Sequence, residues 1–394
     1  MYNRQGMKDV VVIGGGPGGL VAAKELASRG AAVAVLEEHQ AIGDPVHCTG
    51  VLAEDVFDTL ALPREAILNP LSTVRFVAPS GDWFAYTTPA VEAVVIDRYV
   101  FDSALSRRAE LAGAVVHRGL RVTSIEADDT GVRVGLDGGE ALRSRAVILA
   151  CGANYGLQRR IGLGMPSVFL QSAQRELPAE HARDVEVHFG SEIAPKGFAW
   201  AVPVQRPSGR FVRIGVMAAQ DAGQYFARMV ERVRERWGVD VPGDNEPRRR
   251  ILPLGPIRRS YAERLLVVGD AAGLVKPTTG GGIYYSIISG MIAADVLAKG
   301  LETDELSANA LKDYERRWRR RFQSEFTAQS ALRFIAERMR DTDIDALFDL
   351  VRSDGVMPLV RRTARFNRHR DFILALLRHA PARRVMLRRL TGFA

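Results

Sequence analysis

Val10-Val11-Val12-Ile13-Gly14-Gly15-Gly16-Pro17-Gly18-Gly19 is the stretch on which the fold turns. An apolar run, then G-x-G-x-x-G, then Ala22, Ala23 and Leu26 at helical spacing read as a strand, a tight turn and a helix. The glycines have a physical use. A pyrophosphate sits against backbone N–H groups at a helix N-terminus, where the dipole is positive and a Cβ would block its approach. Gly14, Gly16 and Gly19 leave that space. A second strand, Ala32-Val33-Ala34-Val35-Leu36, ends in Glu37 with Glu38 beside it. A carboxylate at that distance from the glycines accepts hydrogen bonds from the adenosine ribose and favours a free 2′-OH.

The motif alone does not separate NAD from FAD, and a distant segment does. The strand Arg264-Leu265-Leu266-Val267-Val268 delivers Gly269-Asp270-Ala271-Ala272-Gly273, and Pro277-Thr278-Thr279-Gly280-Gly281-Gly282-Ile283 follows. An Asp there can hold a ribityl hydroxyl while the next helix N-terminus faces a flavin. Three glycines before that helix let backbone N–H groups approach the flavin N1–C2 carbonyl edge, where negative charge gathers on reduction.

On these residues the sequence resembles the FAD-dependent geranylgeranyl reductases, within the para-hydroxybenzoate-hydroxylase-like flavoproteins. The resemblance runs to about Gly300. Its group-wide motifs are G-x-G-x-x-G with its acid, Asp97-Arg98-x-x-Phe101-Asp102-x-x-Leu105, and Gly269-Asp270. Those specific to the family are His47-Cys48-Thr49-Gly50, Phe198-Ala199-Trp200-Ala201-Val202-Pro203, and Pro277 to Ile283. The middle one is similar to Y-x-W-x-F-P, with Phe198 and Val202 as apolar replacements. Hydroxylases of the wider group carry G-A-D-G-x-x-S, where this chain reads Gly152-Ala153-Asn154-Tyr155-Gly156-Leu157-Gln158, and they follow G-D-A-A with His, where this chain has Gly273. Both departures weigh against oxygen chemistry.

The resemblance implies an α/β fold: a Rossmann-type FAD-binding domain, an inserted antiparallel β-sheet substrate domain and a C-terminal helical region. The expected divisions are 1–70, 97–165 and 256–300 for the FAD domain, 71–96 and 166–255 for the substrate domain, and 301–394 for basic helices. Within these, the spacing predicts a helix from Ala222 to Trp237 and strands over Val185 to Phe189, Gly197 to Val204 and Phe211 to Met217.

The expected cofactor set is Gly14, Gly16, Pro17, Gly19, Glu37, Glu38, Cys48, Arg98, Val122, Gly269, Asp270, Gly280, Gly281, Gly282 and Ile283. Arg98 can pair with FAD or with Glu37. The catalytic candidates are Cys48, whose thiol could relay a proton to the alkene carbon opposite the hydride or simply pack, and Tyr284 as another proton donor. Phe198, Trp200, Pro203 and Pro277 are expected to wall an apolar pocket for a polyprenyl chain, which has no polar handle and is positioned by shape. No metal is expected. The implied activity is reduction of prenyl C=C bonds by hydride from reduced FAD plus a proton. NAD(P)H and ferredoxin both stand open as electron donor.

A monooxygenase or halogenase is the alternative, since Phe198-x-Trp200-x-x-Pro203 is also similar to the halogenase W-x-W-x-I-P. A halogenase would want a Lys where His47 and Cys48 stand. An electron carrier to membrane quinone ranks last, because Cys48 and Cys151 are the only cysteines and cannot by themselves hold an iron–sulfur cluster.

The 394 residues, 47% hydrophobic, suit one large or two closely packed domains. Two cysteines make no disulfide framework and fit a reducing cytoplasm. No N-terminal signal and no uninterrupted apolar run long enough to span a bilayer is visible. The charge of +8 is concentrated late, among Arg316 to Arg321 and Arg361 to Arg389, with aliphatic runs between. Such basic amphipathic helices suit either peripheral contact with an anionic bilayer or plain solvation of a subdomain. Nucleic acid is not expected, because no stacking aromatics interleave the arginines. Oligomeric state is not encoded in any visible pattern.

Overall fold

The computed structural model describes residues 6–243, 246–353 and 356–389. The chain forms the expected α/β architecture as two compact units. One comprises Met1–Val46, Arg98–Val168 and Pro253–Gln323; the other comprises His47–Asp97, Phe169–Leu252 and Ser324–Ala394.

The first unit is built on a sheet whose spatial order is Tyr261–Ala262, Leu265–Val267, Ala141–Leu149, Lys8–Ile13, Val33–Glu37 and Val115–Arg118. All neighbours are parallel except the first pair. Buried on both faces, such strands need continuous apolar runs rather than alternation. Val10, Val11 and Val12 and, next to them, Val33, Ala34 and Val35 are accordingly buried. Val122–Asp128 and Gly131–Leu136 extend the sheet as an antiparallel meander onto Ala141–Leu149. The helices Pro17–Ala27 and Ile283–Thr303 pack backbone to backbone, since a Cβ on Gly290 would overlap the Gly18 carbonyl.

The second unit contains a seven-stranded sheet in the order Arg248–Pro253, Phe169–Pro178, Gly209–Ala218, Phe198–Arg206, Val185–His188, Thr73–Val77 and Trp83–Thr87. It is mixed rather than purely antiparallel, for Val185–His188 runs parallel to Thr73–Val77. These two strands lie far apart in sequence, so no hairpin forces them antiparallel. Alternation gives the sheet two different faces. Ala173, Leu177, Ala199, Ala201, Ile214 and Val216 form one core with Phe226, Met229, Val233 and Trp237 of the helix Ala222–Trp237. The opposite face carries Val202 and Val204, packed with Val95 of the small sheet Val51–Ala53, Ala93–Ile96 and Ile67–Leu71.

The C-terminal region is helical as expected: Asp341–Ser353, Val356–Thr363, Arg370–Arg378 and Ala380–Leu387 pack on one another. Among the described residues no helix is long and apolar enough to cross a membrane.

Candidate cofactor and substrate sites

In the first unit, Gly14 has φ +110° and a Cβ there would overlap the Ala150 carbonyl, so the turn demands glycine. Gly19 brings its helix against the Gly14 carbonyl. Gly16 is different: a Cβ on it would meet nothing within 4 Å. It is the N-cap of the helix Pro17–Ala27 and supplies no side-chain cap, so open space lies before uncapped amides. Open space in front of unpaired helix amides suits a pyrophosphate.

Glu37 lies beside this turn. Its Oε2 accepts the Gly15 N–H at 2.7 Å and its Oε1 accepts the His39 N–H at 3.0 Å, which fixes the carboxylate at the strand end. Glu38 is half-exposed, 3.6 Å from Arg121. Val122 opens the meander, and the preceding Leu120 donates its N–H to the Glu37 carbonyl. The Arg98 side chain forms a two-pronged ion pair with Asp102, one helical turn on, at 2.7 and 3.2 Å.

The Gly269-Asp270 turn is held through its main chain. Tyr314 Oη donates to the Val267 carbonyl at 2.7 Å, the Gly269 N–H donates to Ser289 Oγ at 3.1 Å, Tyr155 Oη donates to the Asp270 carbonyl at 2.9 Å, and Gln158 Nε2 donates to the Ala271 carbonyl at 2.9 Å. Tyr155 and Gln158 occupy the positions where the hydroxylase motif has Gly and Ser, so the departure has a structural use. A Cβ on Gly282 would come 2.5 Å from Asp270 Oδ1, which places that carboxylate at the start of the helix Ile283–Thr303. Burial pushes the Asp270 carboxyl above its usual range, and the Arg98 guanidinium opposes the shift. Lys276 N–H donates to the Gly281 carbonyl and Gly280 N–H to the Lys276 carbonyl, closing the glycine turn behind buried Pro277. Tyr284 is half-buried and meets Tyr285 and Phe322 edge-on, with ring centroids at 5.2 and 6.3 Å. Two uncapped helix N-termini, each with its acid, fit the phosphate and flavin ends of FAD.

In the second unit, the sheet face opposite the helix Ala222–Trp237 carries two of the remaining candidates. Phe198 and Trp200 share it, with ring centroids 5.7 Å apart. Trp200 lies over Gly215, its partner across the strands, where any Cβ would overlap the indole. Its Nε1 is buried and has no partner among the described residues. The aromatic row continues through Phe189, Phe76 and Phe84 to Phe348 of the C-terminal helices. Pro203 is buried, but the uninterrupted register puts it on the other face with Ala199 and Ala201.

Beside the aromatic row lies a polar ladder that the sequence alone does not single out. Ser172, Gln174 and Glu176 alternate along Phe169–Pro178 toward the His47–Gly50 loop. Gln174 Oε1 accepts from Thr49 Oγ1 at 3.0 Å, and Glu176 accepts from Arg206 and Arg213 at 2.5 and 2.8 Å. Arg213, buried, also donates to the Thr49 and Ile96 carbonyls at 2.6 and 2.9 Å. Against the cost of burial these guanidinium groups hold Glu176 below the usual carboxylate range.

Ser172 Oγ lies 3.3 Å from the Arg250 carbonyl and 3.3 Å from His47 Nε2. Since the hydroxyl donates to the carbonyl, it accepts from His47, so the imidazole proton is on Nε2 and Nδ1 is a buried acceptor without a partner among the described residues. Burial, then Arg250 and Arg248, push the imidazole down to about 4. Cys48 is half-buried, and its Sγ accepts the Gly50 N–H at 3.2 Å. No cluster of metal-ligating side chains occurs among the described residues.

The family model described as lycopene cyclase protein matches residues 9–352. A digeranylgeranylglycerophospholipid reductase of Methanocaldococcus jannaschii is 32% identical over 86% of this chain and 89% of its own. Digeranylgeranylglycerophospholipid reductase 2 of Methanopyrus kandleri is 32% identical over 90% of this chain and 92% of its own. Among solved structures, a geranylgeranyl bacteriochlorophyll reductase-like protein from Thermoplasma acidophilum superposes with TM-score 0.82 at 23% identity, covering 97% of this chain and 99% of that one. A flavin-dependent brominase is more distant, with TM-score 0.68 at 18% identity over 90% of this chain and 92% of its own.

Proposed function

Because the chain belongs to the lycopene cyclase protein family and, by its relatives, to the FAD-dependent geranylgeranyl reductases, we propose that it saturates the C=C bonds of a geranylgeranyl lipid. The observation that carries this reading is the second unit's sheet face, where an aromatic row adjoins a polar ladder. A prenyl chain offers only shape and apolar area, and an aromatic wall supplies both.

FAD, when bound and reduced, supplies the hydride for one alkene carbon. The amides of the Pro17–Ala27 helix hold its pyrophosphate, Glu37 its adenosine ribose, and Asp270 with the glycine turn its ribityl and flavin end. Cys48 supplies the proton for the second alkene carbon, with its sulfur oriented by the Gly50 N–H. Phe198 and Trp200 exclude water from the chain. The exposed arginines of the C-terminal helices hold the enzyme at an anionic bilayer, where such a lipid resides.

The test is anaerobic. Purified protein is reduced with dithionite, a geranylgeranyl lipid is added, and flavin reoxidation is followed together with a product two mass units heavier per bond reduced. A flavin that stays reduced until air enters overturns the reductase reading and favours oxygen chemistry. Cys48→Ser and Cys48→Ala are expected to slow turnover with FAD still bound. Unchanged turnover in both removes Cys48 from the proton path.

A further inference from the structure

The edge strand Arg248–Pro253 begins with three consecutive arginines, and they divide between its two faces. Arg249 turns toward the helix Ala222–Trp237: its guanidinium is 3.0 Å from where a Cβ on Gly223 would stand, and it pairs with Glu246 at 3.2 Å. Arg248 and Arg250, two residues apart, therefore belong to the opposite face, that of Ser172, Gln174 and Trp200. The Arg250 side chain is exposed and forms no ion pair among the described residues. Both guanidinium groups act electrostatically on His47, whose Nδ1 is the buried, unpartnered acceptor described above.

The face thus changes character from strand to strand. Its edge is cationic, the next strand offers Ser172 and Gln174, and farther in stand Trp200 and Phe198. We propose that Arg250 and Arg248, with His47, form the subsite that seats the phosphate of the substrate's anionic headgroup at the sheet edge, with the prenyl chain along the aromatic row. This rests on the reductase reading and narrows it. A planar guanidinium offers two parallel N–H donors to two oxygens of one phosphate. Once the anion is bound, its charge offsets that of the arginines and makes protonation of His47 easier, turning Nδ1 into a donor toward it.

The experiment measures binding of geranylgeranyl diphosphate, geranylgeraniol and inorganic pyrophosphate to the FAD-loaded protein by calorimetry, and separately turnover of the two prenyl compounds. Arg250→Glu is expected to weaken geranylgeranyl diphosphate and pyrophosphate at least tenfold, a change of about 1.4 kcal/mol, and to leave geranylgeraniol within about twofold. Arg250→Lys should recover part of the loss, and Arg249→Glu, on the other face, should change none of the three. Equal losses for diphosphate and alcohol, or none for either, overturn the subsite. A fourth arm uses phosphatidylglycerol vesicles. If Arg250→Glu weakens vesicle binding and spares the diphosphate, the arginines serve the bilayer and the subsite is again overturned. Absence of alkene reduction with Arg250-dependent diphosphate binding intact sinks the reductase reading and leaves the anion site standing.

Discussion

Trp200 and Gly215 show how much one residue pair can carry. The indole occupies the space above a glycine on the neighbouring strand, so Gly215→Ala must push it aside. Overpacking of this kind costs about 1–3 kcal/mol, and we expect that loss in urea unfolding together with a changed tryptophan signal in near-ultraviolet circular dichroism. An unchanged spectrum would refute the contact. His47 makes a second prediction. Its pKa falls from 6.5 to about 4 on folding, so between those values the unfolded chain binds a proton that the folded chain does not. Stability on its account is full above pH 6.5 and declines as pH falls toward 4, by roughly 2 kcal/mol after allowance for partial exposure. His47→Gln should flatten that slope; an identical pH profile in both proteins would refute it. Neither effect is legible in the sequence. His47 and Cys48 stand out there by resemblance, whereas the partners that define them, Ser172 and Arg250 across the fold, carry no local signal.

Elements were more legible than contacts. Phe226, Met229, Val230, Val233 and Trp237 recur at helical spacing, and the helix runs from Ala222 to Trp237 as that spacing predicts. The strand-turn-helix at Gly14 to Gly19 is equally plain, because only glycine serves the backbone at Gly14 and Gly19. What alternation could not reveal was the use of each face. Ser172, Gln174 and Glu176 are the rungs that hold the His47–Gly50 loop, a use that their alternation in sequence does not show. Pro203 reads as part of the aromatic wall, and the register turns it away. The glycine turn gives the prediction at this scale. Gly16→Ala adds a methyl to open space before the helix amides, so the apoprotein should melt within about 2 °C of wild type, while FAD affinity falls at least tenfold in a fluorescence titration. Unaltered FAD affinity would remove that N-terminus from the cofactor site.

At the scale of the whole molecule, the sequence pattern separates a dinucleotide half from a β-rich half, yet residues 47–70, expected in the FAD-binding domain, belong to the second unit. A chain that crosses between units repeatedly reveals its partition only through long-range pairing, such as Val51–Ala53 with Ala93–Ile96. Charge is readable without the fold. With a net charge of +8 and Arg361, Arg362, Arg378, Arg383 and Arg384 exposed on the C-terminal helices, binding to anionic vesicles should be strong at low salt and weaken steeply toward about 0.5 M, where screening reaches only a few ångströms. Co-sedimentation that is indifferent to salt would argue against electrostatic docking.

Arg213 grips the loop by the Thr49 carbonyl, a group every amino acid possesses. The anchorage is therefore blind to what side chain stands at position 48, and the scaffold offers that position as an interchangeable socket: selenocysteine, serine or an acid could be installed there and its reactivity compared on one unchanged mount.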